Sequence, residues 1–264
     1  MFAMFRALWQ YRHFVRSSIV NDLRSRFARS KLGGLWMIIN PLAQVAIYAL
    51  ILSNVLAAKL PGIENKYAYA IYLMAGLLAW TLYDELINRC VNLFVAQGNI
   101  MKKMSFPRIT LPTIVAGSCL LNNILLFVAM LGVFVLLGHQ FSMAMVWLLP
   151  LTLLVVVLGL GIGLVLGVLN VFLRDIGLVV PIVMQVWFWF TPIVYPVNII
   201  PESYRHLLHY NPMFLITDAY HEILLYNRAP NLEGMLPLVS IAVVLLLLSL
   251  FLFRRASAEM VDVL

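Results

Sequence analysis

Long apolar runs with almost no charge inside them are the feature that most constrains this sequence. A membrane-crossing helix needs about 20 consecutive, mostly apolar residues, because it must span a hydrocarbon layer about 30 Å thick. Hydrophobic residues make up 63% of the chain and charged residues 11%, whereas a typical soluble domain has about 25% charged residues. This small number of polar side chains cannot cover the surface of a soluble fold. The composition therefore predicts a single integral membrane domain.

Six apolar runs are long enough to be transmembrane helices. The predicted spans are residues 35–57, 67–94, 111–137, 146–172, 176–195 and 236–253. We therefore expect an all-α membrane protein with a six-helix membrane domain over residues 34–253. An N-terminal interface segment, 1–33, precedes it and a tail, 254–264, follows. Arginines scattered through the first thirty residues leave no apolar core for a cleavable signal peptide, and we expect none.

Positive charge is concentrated in the N-terminal segment, in the stretch after the second predicted span and in the tail. Six spans place these three segments on the same side of the membrane. Seven basic residues stand before residue 34, against one acidic residue, Asp22. Lys102, Lys103 and Arg108 follow the second predicted span, and two arginines begin the tail. The positive-inside rule predicts that both termini are cytoplasmic. The net charge of +7 does not indicate nucleic-acid binding, because the basic residues flank apolar spans.

The segment before the first span has an amphipathic pattern. Ile19, Leu23 and Phe27 recur every four residues, which places them on one face of a helix. Such a helix lies in the membrane interface with its basic face toward anionic headgroups. A plain membrane anchor and a substrate-contacting role are equally compatible with this pattern.

About forty residues lie between the fifth and sixth predicted spans. Pro201 and Pro212 each stand where proline is favoured, at the start of a helix. We expect short helices over 202–210 and 213–226, which are apolar enough to dip into the outer leaflet or cap a pathway.

The basic stretch 98–108 contains an apolar pair, Phe106 and Pro107. A short helix with Met101, Met104 and Phe106 exposed would suit docking into a groove of another protein. Topology alone explains the lysines, but it does not explain an exposed Phe-Pro pair.

Charged residues occur inside the second span, where each costs about 2.5–3.5 kcal/mol on insertion scales. Glu85 and Arg89 are four residues apart, so they can form an ion pair on one helical face. We favour a structural ion pair over an ion or proton relay, because no other span has a matching carboxylate near its middle.

Two further patterns concern packing and aromatic surface. Gly159, Gly163 and Gly167 form a stripe that allows close helix packing. Four consecutive aromatic residues, 187–190, cover all sides of a helix, and Tyr195 follows them. Tyrosine and tryptophan belong at membrane interfaces, but this cluster also suits a carbohydrate conduit.

Motifs for catalysis and nucleotide binding are missing from the sequence. It contains no G-x-x-x-x-G-K-[ST] phosphate-binding loop, no Cys/His cluster with zinc spacing and no G-x-S-x-G. We therefore expect no metal site and no catalytic residues in this chain.

With these residues in view, the chain resembles the permease subunit of type 2 ABC exporters for cell-surface polysaccharides. It looks most like the O-antigen (lipopolysaccharide) branch. The likeness covers nearly the whole chain and depends on the order and spacing of several short stretches. They are 22–36 with Asn40-Pro41, 102–108, 170–175, 189–196 and 211–213.

The resemblance implies six membrane helices, an N-terminal interface helix and short outer-side gate helices between the fifth and sixth spans. It also implies a homodimer that assembles with two copies of a separate ATP-binding subunit. ATP and Mg would be bound there, so this chain would hold no cofactor and would not itself be an enzyme. The cargo would be a long glycan on undecaprenyl diphosphate, exported across the bacterial inner membrane.

By position, the resemblance implies roles for three sets of residues. The segment that couples to the ATPase would be Lys102, Lys103, Phe106, Pro107 and Arg108. The interface helix near the entry of the lipid diphosphate would include Arg24, Arg26, Arg29 and Lys31. The candidate wall of the translocation pathway would be Trp187, Phe188, Trp189, Phe190 and Tyr195.

Other functions make different demands on the sequence. Capsule and teichoic-acid exporter permeases share much of the same pattern. An ion-coupled lipid-glycan flippase needs titratable groups deep in several spans, and only Asp84 and Glu85 qualify. A membrane-embedded transferase needs a polar catalytic cluster at one interface, where this sequence has only scattered His and Asp residues.

Overall fold

The fold is that of a computed structural model, which describes residues 6, 8–27, 32, 35, 36, 39, 42, 43, 46, 68–103, 107–257 and 259–263. These residues form helices and their connections, without a β-strand. The predicted all-α class is thereby confirmed for them. Most of the first predicted span, residues 35–57, lies outside the described residues.

The described α-helices follow one another along the chain. In order they are α1 (Arg12–Phe27), α2 (Ala68–Ala96), α3 (Gly98–Lys103), α4 (Thr110–Leu136), α5 (Leu148–Phe172), α6 (Ile176–Phe190), α7 (Glu202–Leu208), α8 (Pro212–Leu224), α9 (Leu232–Ala256) and α10 (Glu259–Val263). A 3-10 turn, Met143–Trp147, leads directly into α5, and another, Val197–Ile199, precedes α7.

Four helical segments of the described chain are long and apolar enough to cross a membrane. They are Ala68–Ala96, Thr110–Leu136, Met143–Phe172 and Leu232–Ala256. These correspond to the second, third, fourth and sixth predicted spans. At 1.5 Å per residue, 25 helical residues extend about 37 Å, which exceeds the hydrocarbon thickness of about 30 Å.

The fifth predicted span is shorter than expected. Its helix, α6, has 15 residues and ends at Phe190, so it is about 22 Å long. The predicted helical extent to Tyr195 is wrong, because Pro192 lacks an N–H and disfavours a helical conformation at the residue before it. Thr191 accordingly has extended backbone, with φ −105° and ψ 127°.

Helix α2 forms the centre of the bundle and packs against α4, α5, α6 and α8. Within its apolar span, 78% of the residues are buried, compared with 28% in α4 and 22% in α9. The outer helices therefore direct most of their apolar side chains away from the protein. An apolar surface of this kind is unfavourable in water and suits a membrane environment.

The glycine stripe of α5 explains how closely this helix packs on α2. A Cβ atom at Gly163 would lie 2.8 Å from the Cβ of Cys90, and one at Gly167 would lie 2.3 Å from the Cys90 carbonyl oxygen. A Cβ atom at Gly161, on another face, would lie 3.0 Å from the Cβ of Leu245 in α9. The stripe therefore acts in helix packing, as predicted, and Gly161 supplies a second packing contact, with α9.

Side-chain contacts identify the two ends of the bundle. Phe94 and Phe253 stack with ring centroids 5.3 Å apart, which joins the C-terminal ends of α2 and α9. Asn170, near the end of α5, donates to the Val91 carbonyl at the same end. Helices α3 and α10 therefore lie at this end, whereas α7 and α8 lie at the other.

Candidate functional site

The aromatic cluster at the end of α6 is divided between an inward and an outward face. The inward pair packs on α2: the Trp187 ring meets Tyr83 edge-on at 5.5 Å between centroids. Phe188 meets Trp80 in the same way, also at 5.5 Å. Both side chains are half-buried, so this half of the cluster fixes the position of α6.

The outward pair leaves a large aromatic surface uncovered by the described residues. Trp189 is 53% exposed and Phe190 is 69% exposed. The Tyr195 hydroxyl donates to the Trp189 carbonyl at 2.7 Å, which satisfies a backbone acceptor where the helix has ended. Of the predicted pathway residues, Trp189 and Phe190 are therefore the two that another molecule can reach most readily.

A single asparagine joins this cluster to the start of α8. The Asn211 Oδ1 accepts from Trp187 Nε1 at 2.9 Å and from the Met213 backbone N–H at 3.0 Å. Its Nδ2 donates to Thr191 Oγ1 at 3.0 Å and to the Phe190 carbonyl at 3.3 Å. Asn211 is thus the N-cap of α8 and a bridge between two helices.

The segment after α6 is held against α2 by two tyrosines. The Tyr69 hydroxyl donates to the Val194 carbonyl at 2.6 Å. The Tyr72 hydroxyl lies 2.9 Å from the Pro192 carbonyl and 3.0 Å from the Tyr195 carbonyl. These contacts satisfy backbone acceptors that have no helical partner, so a non-helical segment can be buried here.

A buried histidine of α8 completes this corner. The His221 ring stacks on Tyr72 with centroids 3.7 Å apart and planes 16° apart. Helix α8 is not one of the four candidate membrane spans. Burial of the His221 side chain lowers its pKa to about 3, because the charged form is poorly solvated there. The histidine is therefore neutral at physiological pH, and its ring packs on the Tyr72 ring.

Helix α1 is packed on the bundle and does not lie on the membrane alone. A Cβ at Gly117 of α4 would lie 2.3 Å from Cδ1 of Ile19, so the missing side chain makes room for α1. The Asp22 carboxylate pairs with Arg89 of α2 at 2.8 Å. A small residue and an ion pair together fix α1 against α4 and α2.

Arg89 is the centre of a polar cluster that joins three helices. Its guanidinium lies 3.7 Å from the Glu85 carboxylate, but its shorter contact is to Asp22. Asn122 of α4 donates to Glu85 at 2.7 Å. The sequence pointed to Glu85 and Arg89 by their spacing, but Asp22 and Asn122 come from distant positions that no local pattern connects to them.

The basic segment after α2 is described in part. The side chain of Lys102 is exposed, Pro107 and Arg108 are half-buried, and the Arg108 guanidinium donates to the Ser257 carbonyl. The Lys103 side chain and Phe106 lie outside what the structure describes. The expected exposure of Met101 is wrong: its side chain is 5% exposed, because α3 packs against α10 and α2.

The basic residues proposed for the interface helix are also described in part. Arg24 is exposed near the end of α1. The Arg26 side chain, Arg29 and Lys31 lie outside the described residues. Among the described residues, no group of three or more His, Cys, Asp or Glu side chains could hold a metal ion.

Comparison with known proteins places this arrangement in a family. The model of the ABC-2 type transporter family matches residues 15–225, which is most of the chain. The chain belongs to the ABC-2 type transporter family. In this ABC-2 type transporter, the matched region includes most of α1, the Arg89 cluster, the basic segment and the aromatic cluster.

Individual relatives of this ABC-2 type transporter match it over nearly their whole length. The O-antigen export system permease protein RfbA of Myxococcus xanthus is 28% identical over 99% of both chains. A protein of the same name from Klebsiella pneumoniae is 28% identical over 92% of each. The polysialic acid transport protein KpsM of Escherichia coli is 24% identical over 93% of this chain and 94% of its own.

Proposed function

We propose that this chain is the membrane subunit of an ATP-driven exporter that moves undecaprenyl-diphosphate-linked polysaccharide of the O-antigen type from cytoplasm to periplasm. The observation that carries the proposal is the 28% identity to an O-antigen export permease over 99% of both chains. The match extends over nearly the whole of both chains, so it supports a shared role for the complete membrane domain.

The energy source lies on another chain in this proposal. The sequence has no phosphate-binding loop, so ATP is bound by a separate subunit, in two copies on a homodimer of this chain. The segment Lys102, Lys103, Phe106, Pro107 and Arg108 contacts that subunit. In support, the Lys102 side chain is exposed at the bundle end where Arg108 contacts Ser257.

The proposed topology has six spans with both termini in the cytoplasm. The four candidate spans, the shorter helix α6 and the run at residues 35–57 make up the six. Helices α7 and α8 act as the outer-side gate helices. Their location supports this role, since both lie at the bundle end opposite to α3 and α10.

The pathway wall is formed by the aromatic cluster in this proposal. Polymer passage requires weak, repeated contacts, and aromatic faces supply these without requiring one sugar sequence. Trp189 and Phe190 are exposed, whereas Trp187, Phe188 and Tyr195 hold the cluster in place through their contacts with α2, Asn211 and the α6 backbone.

The lipid diphosphate is received at the basic end of α1. Guanidinium forks bind phosphate oxygens in two-pronged geometry, and Arg24, Arg26, Arg29 and Lys31 supply four cations there. Joint Arg24, Arg26 and Arg29→Gln changes should reduce export while the protein still inserts into the membrane.

A capsule exporter of the same superfamily is the second candidate. The 24% identity to a polysialic acid transport protein is the observation that favours it. The O-antigen assignment has the stronger support, because the O-antigen permease is 28% identical to this chain and its alignment covers slightly more of it.

The decisive experiment locates the glycan after deletion of this gene. Labelling of intact and permeabilised cells should show that polysaccharide leaves the surface and accumulates inside as lipid-linked polymer. Unchanged surface glycan contradicts the proposal.

Complementation with variants then tests coupling to the ATPase. Phe106→Ala should weaken co-purification of the ATPase or uncouple ATP hydrolysis from export. Phe141→Ala, an exposed phenylalanine between α4 and α5, serves as the matched control.

A further inference from the structure

A groove of about 500 Å³ lies between α1 and α4, on a surface that none of the proposed sites uses. Its walls include apolar and basic side chains. They are Trp9, Arg12, Arg16, Ile19, Val20 and Leu121. Ile19, one of these residues, also packs closely on Gly117 of α4, so the groove follows from how α1 packs on α4.

Two guanidinium groups stand on one side of this groove. Arg12 and Arg16 are four residues apart and share a helical face. Both are exposed, and among the described residues neither forms a salt bridge with a carboxylate. Arg12 donates one N–H to the Trp9 carbonyl at 3.1 Å. A guanidinium has five N–H donors, so most of them face outward.

The groove lies where the membrane surface meets the basic end of the bundle. Thr113 forms part of its wall and belongs to the first turn of α4, which begins at the end where α3 and α10 lie. Trp9 is 74% exposed, and the Arg12 guanidinium lies 5.3 Å from its ring centroid. Tryptophan beside arginine is typical of the headgroup region of a bilayer.

We infer that this groove binds an acidic glycerophospholipid of the surrounding bilayer leaflet. The phosphate lies between Arg12 and Arg16, and one acyl chain lies along Ile19, Val20 and Leu121. Charge complementarity selects an acidic headgroup, and the apolar wall selects a ligand that has an acyl chain. The inference depends on the chain being a membrane protein, and it holds whichever cargo the transporter carries.

Lipid titration of the full-length purified chain in detergent tests this site. Native mass spectrometry should show phosphatidylglycerol retained at concentrations where phosphatidylcholine with the same acyl chains is not. Arg12→Gln with Arg16→Gln removes the charge-assisted hydrogen bonds to the phosphate, so this double variant should weaken phosphatidylglycerol binding at least about tenfold.

Two controls separate this site from general attraction to negative charge. Arg254→Gln with Arg255→Gln removes the same charge from exposed positions on α9 and should leave binding unchanged. Val20→Trp should block the acyl-chain half of the groove, and Val20 is 37% exposed, so the fold tolerates the change. This variant should lose binding although both arginines remain.

Three results would overturn the inference. One is equal retention of phosphatidylglycerol and phosphatidylcholine. Another is an equal loss in the α9 control variant, which would show attraction to net charge alone. The third is displacement of the lipid by soluble glycerol phosphate, which would identify an anion site with no acyl-chain recognition. Unfolding curves of each variant establish that the comparison concerns folded protein.

Discussion

Asn211 is one polar side chain that stabilises the junction of two helices, α6 and α8. All four of its hydrogen bonds lie within the region where α6 has ended and α8 begins. Two of the partners, the Trp187 indole N–H and the Met213 backbone N–H, have Asn211 Oδ1 as their acceptor, and leaving a part-buried donor unpaired is unfavourable. The side chain therefore couples the aromatic cluster to α8.

Replacement of Asn211 by alanine should destabilise the protein by roughly 2–4 kcal/mol. Loss of an N-cap costs about 1 kcal/mol, and an unpaired indole N–H adds about 1–3 kcal/mol. Asn231→Ala is the matched control, because Asn231 caps α9 with one exposed hydrogen bond of 3.3 Å. Chemical unfolding in detergent measures both variants, and equal effects would contradict the bridging role.

Arg89 holds α1 to the bundle through its ion pair with Asp22. Both side chains are partly buried, with 21% and 28% of their surface exposed. Breaking a fully buried ion pair costs about 3–5 kcal/mol, but exposed pairs contribute about 0–1 kcal/mol. At this level of solvent exposure, we expect the energy of the Asp22–Arg89 interaction to lie between these two ranges.

A double-mutant cycle with Asp22→Asn and Arg89→Gln should therefore give a coupling energy of about 1–2 kcal/mol. The physical reason is that each single change leaves the other charge in a partly desolvated position. Unfolding measurements on the four proteins provide the value. Arg24→Gln, an exposed change on the same helix, should show no coupling with Asp22. Coupling near zero between Asp22 and Arg89 would show that the pair does not hold α1.

At the scale of elements, the packing of α5 on α2 depends on missing side chains. The Gly167 contact is with a backbone carbonyl, which cannot rotate away as a long side chain can. A glycine in a transmembrane helix reduces helical propensity, but close backbone approach strengthens van der Waals contact between helices. The stripe therefore fixes the distance between the two helices.

Gly167→Ala should destabilise the bundle by about 1–3 kcal/mol, the usual range for overpacking of a close contact. Gly132→Ala is the matched control in α4, because nothing lies within 4 Å of a Cβ at that position. It should be neutral or slightly stabilising, since alanine is the better helix former. Thermal unfolding in detergent compares the two, and equal stability would contradict the close-packed interface.

At the scale of the whole molecule, one end of the bundle presents exposed basic side chains. The exposed Lys102 lies near one end with Arg254 and Arg255, whereas Tyr210 lies between α7 and α8 at the other and is 84% exposed. An excess of Lys and Arg marks the cytoplasmic side. The proposed topology, with Lys102 on the cytoplasmic side and Tyr210 on the opposite side, can be tested by chemical labelling at these two positions.

A membrane-impermeant maleimide should label Lys102→Cys only in permeabilised cells and Tyr210→Cys in intact cells. The two natural cysteines, Cys90 and Cys119, are buried, so the background from the unmodified chain should be low. Labelling of both positions from the same side would contradict the topology, and labelling of Lys102→Cys in intact cells would reverse it.

Much of this architecture could be predicted from local sequence patterns. The length of the apolar runs predicted four helices that the structure contains, because hydrocarbon thickness sets a minimum helix length. The spacing of Gly159, Gly163 and Gly167 predicted a packing face, because four-residue periodicity follows from helix geometry. Asn211 could have been recognised as a cap, because it stands directly before a proline that starts a helix.

Other features depend on residues that are far apart in sequence. Asp22 and Arg89 are 67 positions apart, and Asn122 and Glu85 are 37 apart. The burial of Met101 follows from contact with α10, more than 150 residues later. No periodicity connects such positions, because their proximity is created by helix packing.

The sequence by itself therefore determined that this chain is helical, lies in a membrane and uses glycine for close packing. These properties follow from the apolar content and spacing of neighbouring residues. Only the tertiary structure decided which side of the aromatic cluster is exposed, which carboxylate pairs most closely with Arg89, and that α1 and α4 enclose a groove. The physical reason is that burial and ion pairing depend on which helices meet, and that is a property of the whole packed bundle.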